Sequence, residues 1–458
     1  MTESIDTVSV VGLGKLGAPL AAILAAKGYR TIGIDVNEAM IEALNDGKAP
    51  VAEPQLQYHI DQGRARLSAT SDYREAILAS TVTFIVVPTP SDAKGVFTNR
   101  YVLGAIEKIG QALREKSGYH VVSIASTVMP GSCQGALREA LELHSGRAVG
   151  DGVGLCYNPE FIALGSVVRD MLNPDFILLG ESDPRAGSMV ADIYGQICEN
   201  NPPIRKMNLV NAELTKISVN TFVTTKISYA NMLADVCDRI PGADVDVVTE
   251  AVGSDSRIGT KYLRGALGYG GPCFPRDNTA FVRMAEDVGA RAELAAATDS
   301  INRYQVERLA NTVQGRVEPG STVGVLGLSY KPDTGVIEAS QAVQLAQLLA
   351  ERGYQVQVYD PLARDNASAV LRHLVKPTDS ANDCVRDADF VVIANACPEF
   401  RTLSADTIWR PEGKLPVLDC WRMLPVETYD DAVDLIYLGR GESTDRSDTE
   451  VGPSASSL

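Results

Sequence analysis

VSVVGLGKLGAPLAAILAAKGYRTIGID, residues 8–35, is the stretch whose reading decides the fold. The run VSVV is short and apolar without alternation, the pattern of a strand buried on both faces. Gly12, Gly14 and Gly17 follow it as GxGxxG, and APLAAILAAKG (18–28) reads as a helix closed by Gly28. RTIGID (30–35) is then a second strand with Asp35 at its end. The first glycine permits the tight turn, the second lets a pyrophosphate approach the backbone, and the third lets helix and strand pack closely. The phosphates then meet the helix N-terminus. Asp35 is placed to hold a ribose diol, and Val36 and Asn37 after it bring no arginine to meet a 2′-phosphate, which favours NAD over NADP. A glycine turn without a ligand is the competing reading, and the strand–turn–helix context argues against it.

Outward from this stretch the same grammar continues. TVTFIVV (81–87) and HVVSIAS (120–126) are further strands, so the expected class is α/β, a doubly wound parallel sheet with helices on both faces. A second copy appears late. STVGVLG (321–327), the helix QAVQLAQLLAERG (341–353), YQVQVYD (354–360) and ADFVVIA (388–394) repeat the order. Gly28 to Asp35 and Gly353 to Asp360 are both seven residues, but Gly12 to Asp35 takes 23 positions and Gly327 to Asp360 takes 33. Ten extra residues therefore sit where the first copy has its phosphate turn. Between the copies, 210–250 carries apolar residues at helical spacing and reads as one long helix, linking two Rossmann-like domains and offering a dimerisation surface. The expected segments are 1–205 for the dinucleotide, 206–312 as a central helical region with a cysteine loop, 313–440 as the second Rossmann-like domain, and a disordered tail at 441–458.

Bulk composition narrows the function classes. A chain of 458 residues with 45% hydrophobic and 22% charged content is globular and multidomain. A formal net charge of −16 argues against nucleic acid or an anionic membrane surface as partner. Eight scattered cysteines without a CxxC pair, and four histidines, make a metal site unexpected. No apolar run is long enough to span a bilayer, and no signal-peptide pattern opens the chain, so a cytoplasmic protein with reduced thiols is expected.

Four places carry candidate chemistry. Lys216 and Asn220 are four residues apart on the predicted helix and share a face, which is equally the spacing of a solvated polar stripe. Glu160, in NPEF (158–161), follows a predicted strand, where a loop carboxylate is commonly just solvated. Thr127, in STVMPG (126–131), stands at a strand end where ligands collect, or where a hydroxyl caps a helix. Cys273, in GYGGPCFPRDN (268–278), is flanked by glycines and prolines. It reads either as a nucleophile exposed by backbone bends or as a buried inert thiol.

With VGLGKLG, GIDVN, VPTP (87–90), STVMPGS, NPEF, MLNPD (171–175), ELTKISVNTF, DSRIGTKYL (255–263), GYGGPCFPRD and GLSYKPDTG (327–335) in this order, the chain resembles the UDP-glucose/GDP-mannose dehydrogenase family from about residue 7 to about 437. DSRIG and the cysteine loop are most similar to its UDP-glucose branch. The resemblance implies an NAD-dependent four-electron oxidation of carbon 6 of a nucleotide-linked sugar, UDP-glucose or dTDP-glucose, to the acid. It implies that Cys273 captures the intermediate aldehyde as a thiohemiacetal, which becomes a thioester that water hydrolyses. Lys216 and Asn220 would stabilise the oxyanion, Asp277 would manage a proton through bound water, and Glu160 and Thr127 would position that water and the cofactor. By the same resemblance Gly12, Gly14, Lys15, Leu16, Gly17, Asp35, Pro88, Thr89, Thr127 and Arg276 hold NAD. Glu160, Phe161, Lys216, Asn220, Lys261, Tyr262, Gly268, Tyr269 and Gly270 line the sugar-nucleotide cradle. Lys331, in the enlarged second turn, would cover the diphosphate, and Arg257 would reach it from a neighbouring subunit, which requires at least a homodimer.

Four positions, in three places, depart from the family pattern. Leu164 stands where a glutamate usually precedes glycine, Glu338 and Ala339 replace an arginine–glutamate pair, and Pro272 replaces a small residue before the cysteine. These changes suggest a specialised member, in a secondary pathway and with another nucleobase such as thymine. Two alternatives are a two-electron β-hydroxy-acid dehydrogenase, which would lack the cysteine loop and the second Rossmann copy, and a non-catalytic sugar-nucleotide-binding homologue, which would not need to keep Cys273, Lys216, Asn220 and Asp277 together.

Overall fold

The computed structural model describes residues 5–162, 164–411, 413–424, 429 and 433–441. The chain forms two compact units, Met1–Val219 with Arg283–Ala290, and Asn220–Val282 with Arg291–Leu458. The first is built on eight strands: β1 Thr7–Val11, β2 Arg30–Ile34, β3 Leu67–Thr70, β4 Val82–Ile85, β5 Val121–Ile124, β6 Gly154–Tyr157, β7 Ile177–Glu181 and β8 Ile204–Asn208. Their order is β3-β2-β1-β4-β5-β6-β7-β8, so the winding reverses between β1 and β4. Alternate strand residues feed two cores. Val8, Val10, Val82 and Phe84 pack with the helices Gly17–Ala26 and Pro184–Ile197, while Val11, Ile85, Val122 and Ile124 pack with the helix Arg100–Leu113. Burial of this kind, at about 25 cal/mol per Å² of apolar surface, is what makes the continuous apolar strands worth forming.

The second unit repeats the plan with β9 Thr322–Leu326, β10 Gln355–Tyr359, β11 Val375–Pro377, β12 Phe390–Ile393, β13 Leu415–Asp419 and β14 Val433–Tyr437, in the order β11-β10-β9-β12-β13-β14. Both copies therefore share one strand order through their first six strands, and the doubly wound α/β class read from the sequence holds for each.

Two details differ from expectation. In the first sheet β6 and β7 pair antiparallel, while every other pair is parallel. The connection 158–176 consequently leaves and re-enters the sheet at the edge where β1, β4 and β5 also end, instead of crossing over. The helix expected over 210–250 is two helices. Leu209–Cys237 is continuous and links the two units, the chain turns through Pro241 and Gly242 (φ +77°), and Asp244 caps a new helix Val245–Ser254. Proline removes an N–H and glycine takes the left-handed conformation, and together they end the first helix. The tail expected to be disordered lies, beyond Gly441, outside the described residues.

Candidate active site

In the first unit the three glycines do three different things. Gly12 has φ +94°, and a Cβ there would lie 2.4 Å from the Val86 carbonyl oxygen. A Cβ on Gly17 would lie 1.7 Å from the Gly12 oxygen, so only glycine lets the helix close on the strand. Gly14 is exposed and a Cβ on it would meet nothing within 4 Å. That open face beside exposed Lys15 and half-buried Leu16 is where a phosphate group can reach backbone N–H groups, since no side chain caps the helix that begins at Gly17. Asp35 accepts Leu13 N–H at 2.6 Å on one oxygen and Asn37 N–H at 2.9 Å on the other, which fixes the carboxylate and leaves lone pairs for a diol. The residues present fit a dinucleotide.

Beyond β4, Pro88 is exposed and Thr89 is buried with its hydroxyl donating to the Thr127 carbonyl at 2.6 Å. Ser126 Oγ accepts Val87 N–H and donates to Val87 O, so the exits of β4 and β5 are laced together. From the NPEF loop, Glu160 accepts the Tyr194 hydroxyl at 2.8 Å. Its carbonyl accepts Lys216 Nζ at 2.5 Å, and the same ammonium stands 4.4 Å from the centre of the Phe161 ring. Burial raises the Glu160 carboxyl above its ordinary value, against the opposing pull of the Tyr194 bond and the Lys216 charge. Glu160, Phe161 and Lys216 are thus one cluster at the strand edge that also carries Thr127. Leu164 packs, partly buried, against the core instead of presenting a carboxylate.

One residue escaped the reading of the sequence. Glu213, fully buried, accepts Gly131 N–H and Cys133 N–H, each at 2.6 Å, and so fastens the STVMPGS turn to the helix that carries Lys216. Its signal was available: Glu213 and Lys216 are three residues apart and share a helix face.

In the second unit, Cys273 is not a buried thiol. Of the eight cysteines it alone is exposed. The other seven have their thiols pushed up, chiefly by burial. The Cys273 carbonyl accepts Asp277 N–H at 2.8 Å, which makes Cys273 the residue capping the helix Phe274–Asp287. Asp277, 1% exposed, accepts Asn220 Nδ2 at 2.6 Å on Oδ2, while Oδ1 lies 3.5 Å from Arg276 Nε and accepts no hydrogen bond among the described residues. Asn220 is therefore brought to Asp277 and Arg276, which stand four and three residues after the thiol in sequence.

The remaining substrate candidates lie in this unit too. Tyr269 is buried and its hydroxyl donates to Asp299, so its phenol is already engaged within the protein. Tyr262 is exposed at φ +63° and packs edge-on to Phe274 at 6.3 Å. Lys261 is exposed and Lys331 half-buried. Arg257 is 86% exposed and ion-paired to Asp255 at 2.5 Å, on a loop whose Ile258 and Gly259 carbonyls accept Lys226 Nζ. In the second Rossmann copy, Asp360 is buried and accepts five hydrogen bonds, from Leu328 N, Ser329 N, Ser329 Oγ, Leu362 N and Ala363 N. It has no capacity left for a ribose, which separates this mouth from that of Asp35. Among the described residues no group of three or more His, Cys, Asp or Glu is placed to hold a metal ion, and no helix is long and apolar enough to cross a membrane.

Comparison with known proteins follows the same division. Three models of the UDP-glucose/GDP-mannose dehydrogenase family match: the NAD binding domain over residues 6–198, the central domain over 210–304 and the UDP binding domain over 324–425. The UDP-glucose 6-dehydrogenase AglM of Haloferax volcanii is 37% identical over 400 residues, covering 86% of this chain and 92% of that one. The GDP-mannose 6-dehydrogenase of Azotobacter vinelandii is 31% identical over 438 residues, covering 92% and 98%. A solved UDP-glucose dehydrogenase from Pyrobaculum islandicum superposes with TM-score 0.85 at 34% identity, covering 96% of this chain and 98% of that one.

Proposed function

The chain belongs to the UDP-glucose/GDP-mannose dehydrogenase family, and on that premise we propose that it oxidises carbon 6 of UDP-glucose to the carboxylate by way of a thioester on Cys273. It is an NAD-dependent nucleotide-sugar dehydrogenase, and NAD, when bound, supplies the electron acceptor for both two-electron oxidations. The observation that carries the finer reading is the exposure of Cys273 at a helix amino end, where none of the other seven cysteines is exposed.

Each residue then has a task of its own. The first oxidation turns the alcohol into an aldehyde. The Cys273 thiolate adds to that aldehyde carbon, the oxyanion takes up a proton, and the resulting thiohemiacetal is oxidised to a thioester. Asn220, held by Asp277, and Lys216, held by the Glu160 carbonyl, are the donors assigned to the oxyanion. Asp277 keeps one oxygen for water, which attacks the thioester and releases the acid and the thiolate. With Leu164 apolar, hydrolysis relies on Glu160 and Asp277 for its carboxylates.

The active form proposed is at least a dimer. The helix Leu209–Cys237 exposes Phe222, Tyr229, Met232 and Val236, and steps of seven residues put Phe222, Tyr229 and Val236 on one stripe that a second copy would cover.

A panel of UDP-glucose, dTDP-glucose, GDP-mannose and UDP-N-acetylmannosamine, with NADH counted and product mass identified, tests the assignment. UDP-glucose should give the acid with the highest kcat/KM; a GDP-mannose preference would overturn the substrate, and no NADH from any of the four would favour a non-catalytic binding protein.

A further inference from the structure

A Cβ on Gly268 would lie 2.1 Å from Asn302 Oδ1 and 2.4 Å from Gln341 Nε2. Two buried side-chain amides fill the space that this glycine leaves. Gln341, 4% exposed, is the first residue of the helix Gln341–Glu351. Its Oε1 accepts Gly268 N–H at 2.7 Å and its Nε2 donates to the Asn302 carbonyl at 2.7 Å. Asn302, on the helix Glu293–Gln314, closes a two-way pair on Tyr269, accepting its N–H at 2.8 Å and donating to its carbonyl at 2.9 Å. Two residues before the thiol, Gly271 N–H donates to the Glu338 carbonyl at 2.9 Å. A Cβ on Gly270 would lie 2.4 Å from the Ala339 carbonyl oxygen, and one on Gly271 would lie 2.6 Å from the Tyr330 ring.

We infer that Gln341 is a positioning residue for Cys273, and that the segment 327–341 sets the nucleophile loop and the nucleotide loop in one register. The loop before the thiol is gripped through its main chain at residues 268, 269 and 271, with Gln341 and the Glu338 carbonyl supplied by the segment that also carries Lys331. Hydrogen bonds between buried amides and backbone are directional, and shifting the loop would strand several polar groups at once, so the loop has one favoured position. The chemical consequence rests on Cys273 being the nucleophile; the grip itself does not.

The test uses full-length Gln341→Met, close in size but without the amide, and reads two quantities. One is the rate at which iodoacetamide labels the Cys273 peptide, with and without UDP, followed by mass. The other is steady-state kcat and KM. Misplacing a reacting group by a fraction of an ångström to one ångström costs about 10–100-fold, so kcat should fall by that factor. KM for NAD should stay within about twofold, because no transition-state-independent contact to NAD is removed. Labelling of Cys273 should change at least about threefold and lose its response to UDP. If the methionine variant does not fold, Gln341→Glu, which keeps an acceptor for Gly268 N–H and loses the amide donor, takes the same readouts. A folded variant with parental kcat and parental labelling would overturn the inference. A Cys273→Ala enzyme that still makes acid would instead remove the nucleophile while leaving the labelling result standing.

Discussion

Replacing Glu213 by alanine probes how the cofactor-side turn is held. Its two oxygens each accept a main-chain N–H at 2.6 Å, from Gly131 and Cys133, and the residue is fully buried. Burial raises its carboxyl above the ordinary value while the two amides pull the other way. Alanine leaves the buried Cys133 N–H without an acceptor, at about 1–3 kcal/mol, while the Gly131 N–H, on an exposed residue, can turn to water. Removing a carboxylate that was costly to bury offsets part of this, so the net loss is about 1–2 kcal/mol. For a unit of this size one kcal/mol moves the melting midpoint by about 2–4 °C, which predicts a fall of roughly 3–8 °C. Glu213→Gln keeps one acceptor and should lose about half as much. The same turn carries Thr127, so NAD affinity should weaken in the alanine variant by about tenfold, equivalent to 1.4 kcal/mol. Thermal melts with and without NAD, together with calorimetric titration of NAD, read both effects. An alanine variant that melts within about 2 °C of the parent and binds NAD as tightly would refute the reasoning.

Two further perturbations follow from the geometry. His120 is fully buried, with Nε2 2.8 Å from Thr83 Oγ1 and Nδ1 3.1 Å from both the Ser80 carbonyl and Lys116 Nζ. Burial first, and the Lys116 charge second, hold it well below its ordinary value of 6.5. Below that pH the unfolded chain binds a proton that the fold refuses, so stability is lost as pH falls, at up to about 1.4 kcal/mol per pH unit. A His120→Asn variant should show a shallower fall in melting midpoint between about pH 7 and pH 5 than the parent; parallel slopes would contradict this. For Asp277→Asn, which removes the charge beside the Asn220 amide at nearly constant volume, kcat should fall about 10²–10⁴-fold with substrate KM little changed, and a kcat within about threefold of the parent would exclude a proton-handling role.

Both Rossmann copies were legible because strands buried on two faces are continuous apolar runs, and because glycine and aspartate mark turn and strand end at fixed distances. The antiparallel β6–β7 junction was not legible: a strand's direction leaves no trace in its own periodicity. The break at Pro241 and Gly242 interrupts an apolar spacing that runs on at both sides, and that spacing alone reads as one helix. Within the candidate site, Cys273 and Asn220 could be nominated by residue type and spacing, and Asp277 by the family resemblance alone. Glu213 left one trace, its three-residue step from Lys216 on the same helix face, but its partners Gly131 and Cys133 are distant in sequence, as Gly268 is from Gln341, and those pairings leave no local signal. Gly268 and Tyr269, named for the sugar cradle, hold their backbone groups to buried amides, and the Tyr269 phenol is bound to Asp299.

The proposed reaction is a four-electron oxidation through a thioester on Cys273. It is tested most directly by counting NADH and acid formed per UDP-glucose consumed, in the parent and in Cys273→Ala. Two NADH and one acid per sugar nucleotide are expected in the parent, with acid formation abolished in the variant. One NADH per substrate in the parent, or acid released by the variant at the parental rate, would contradict it.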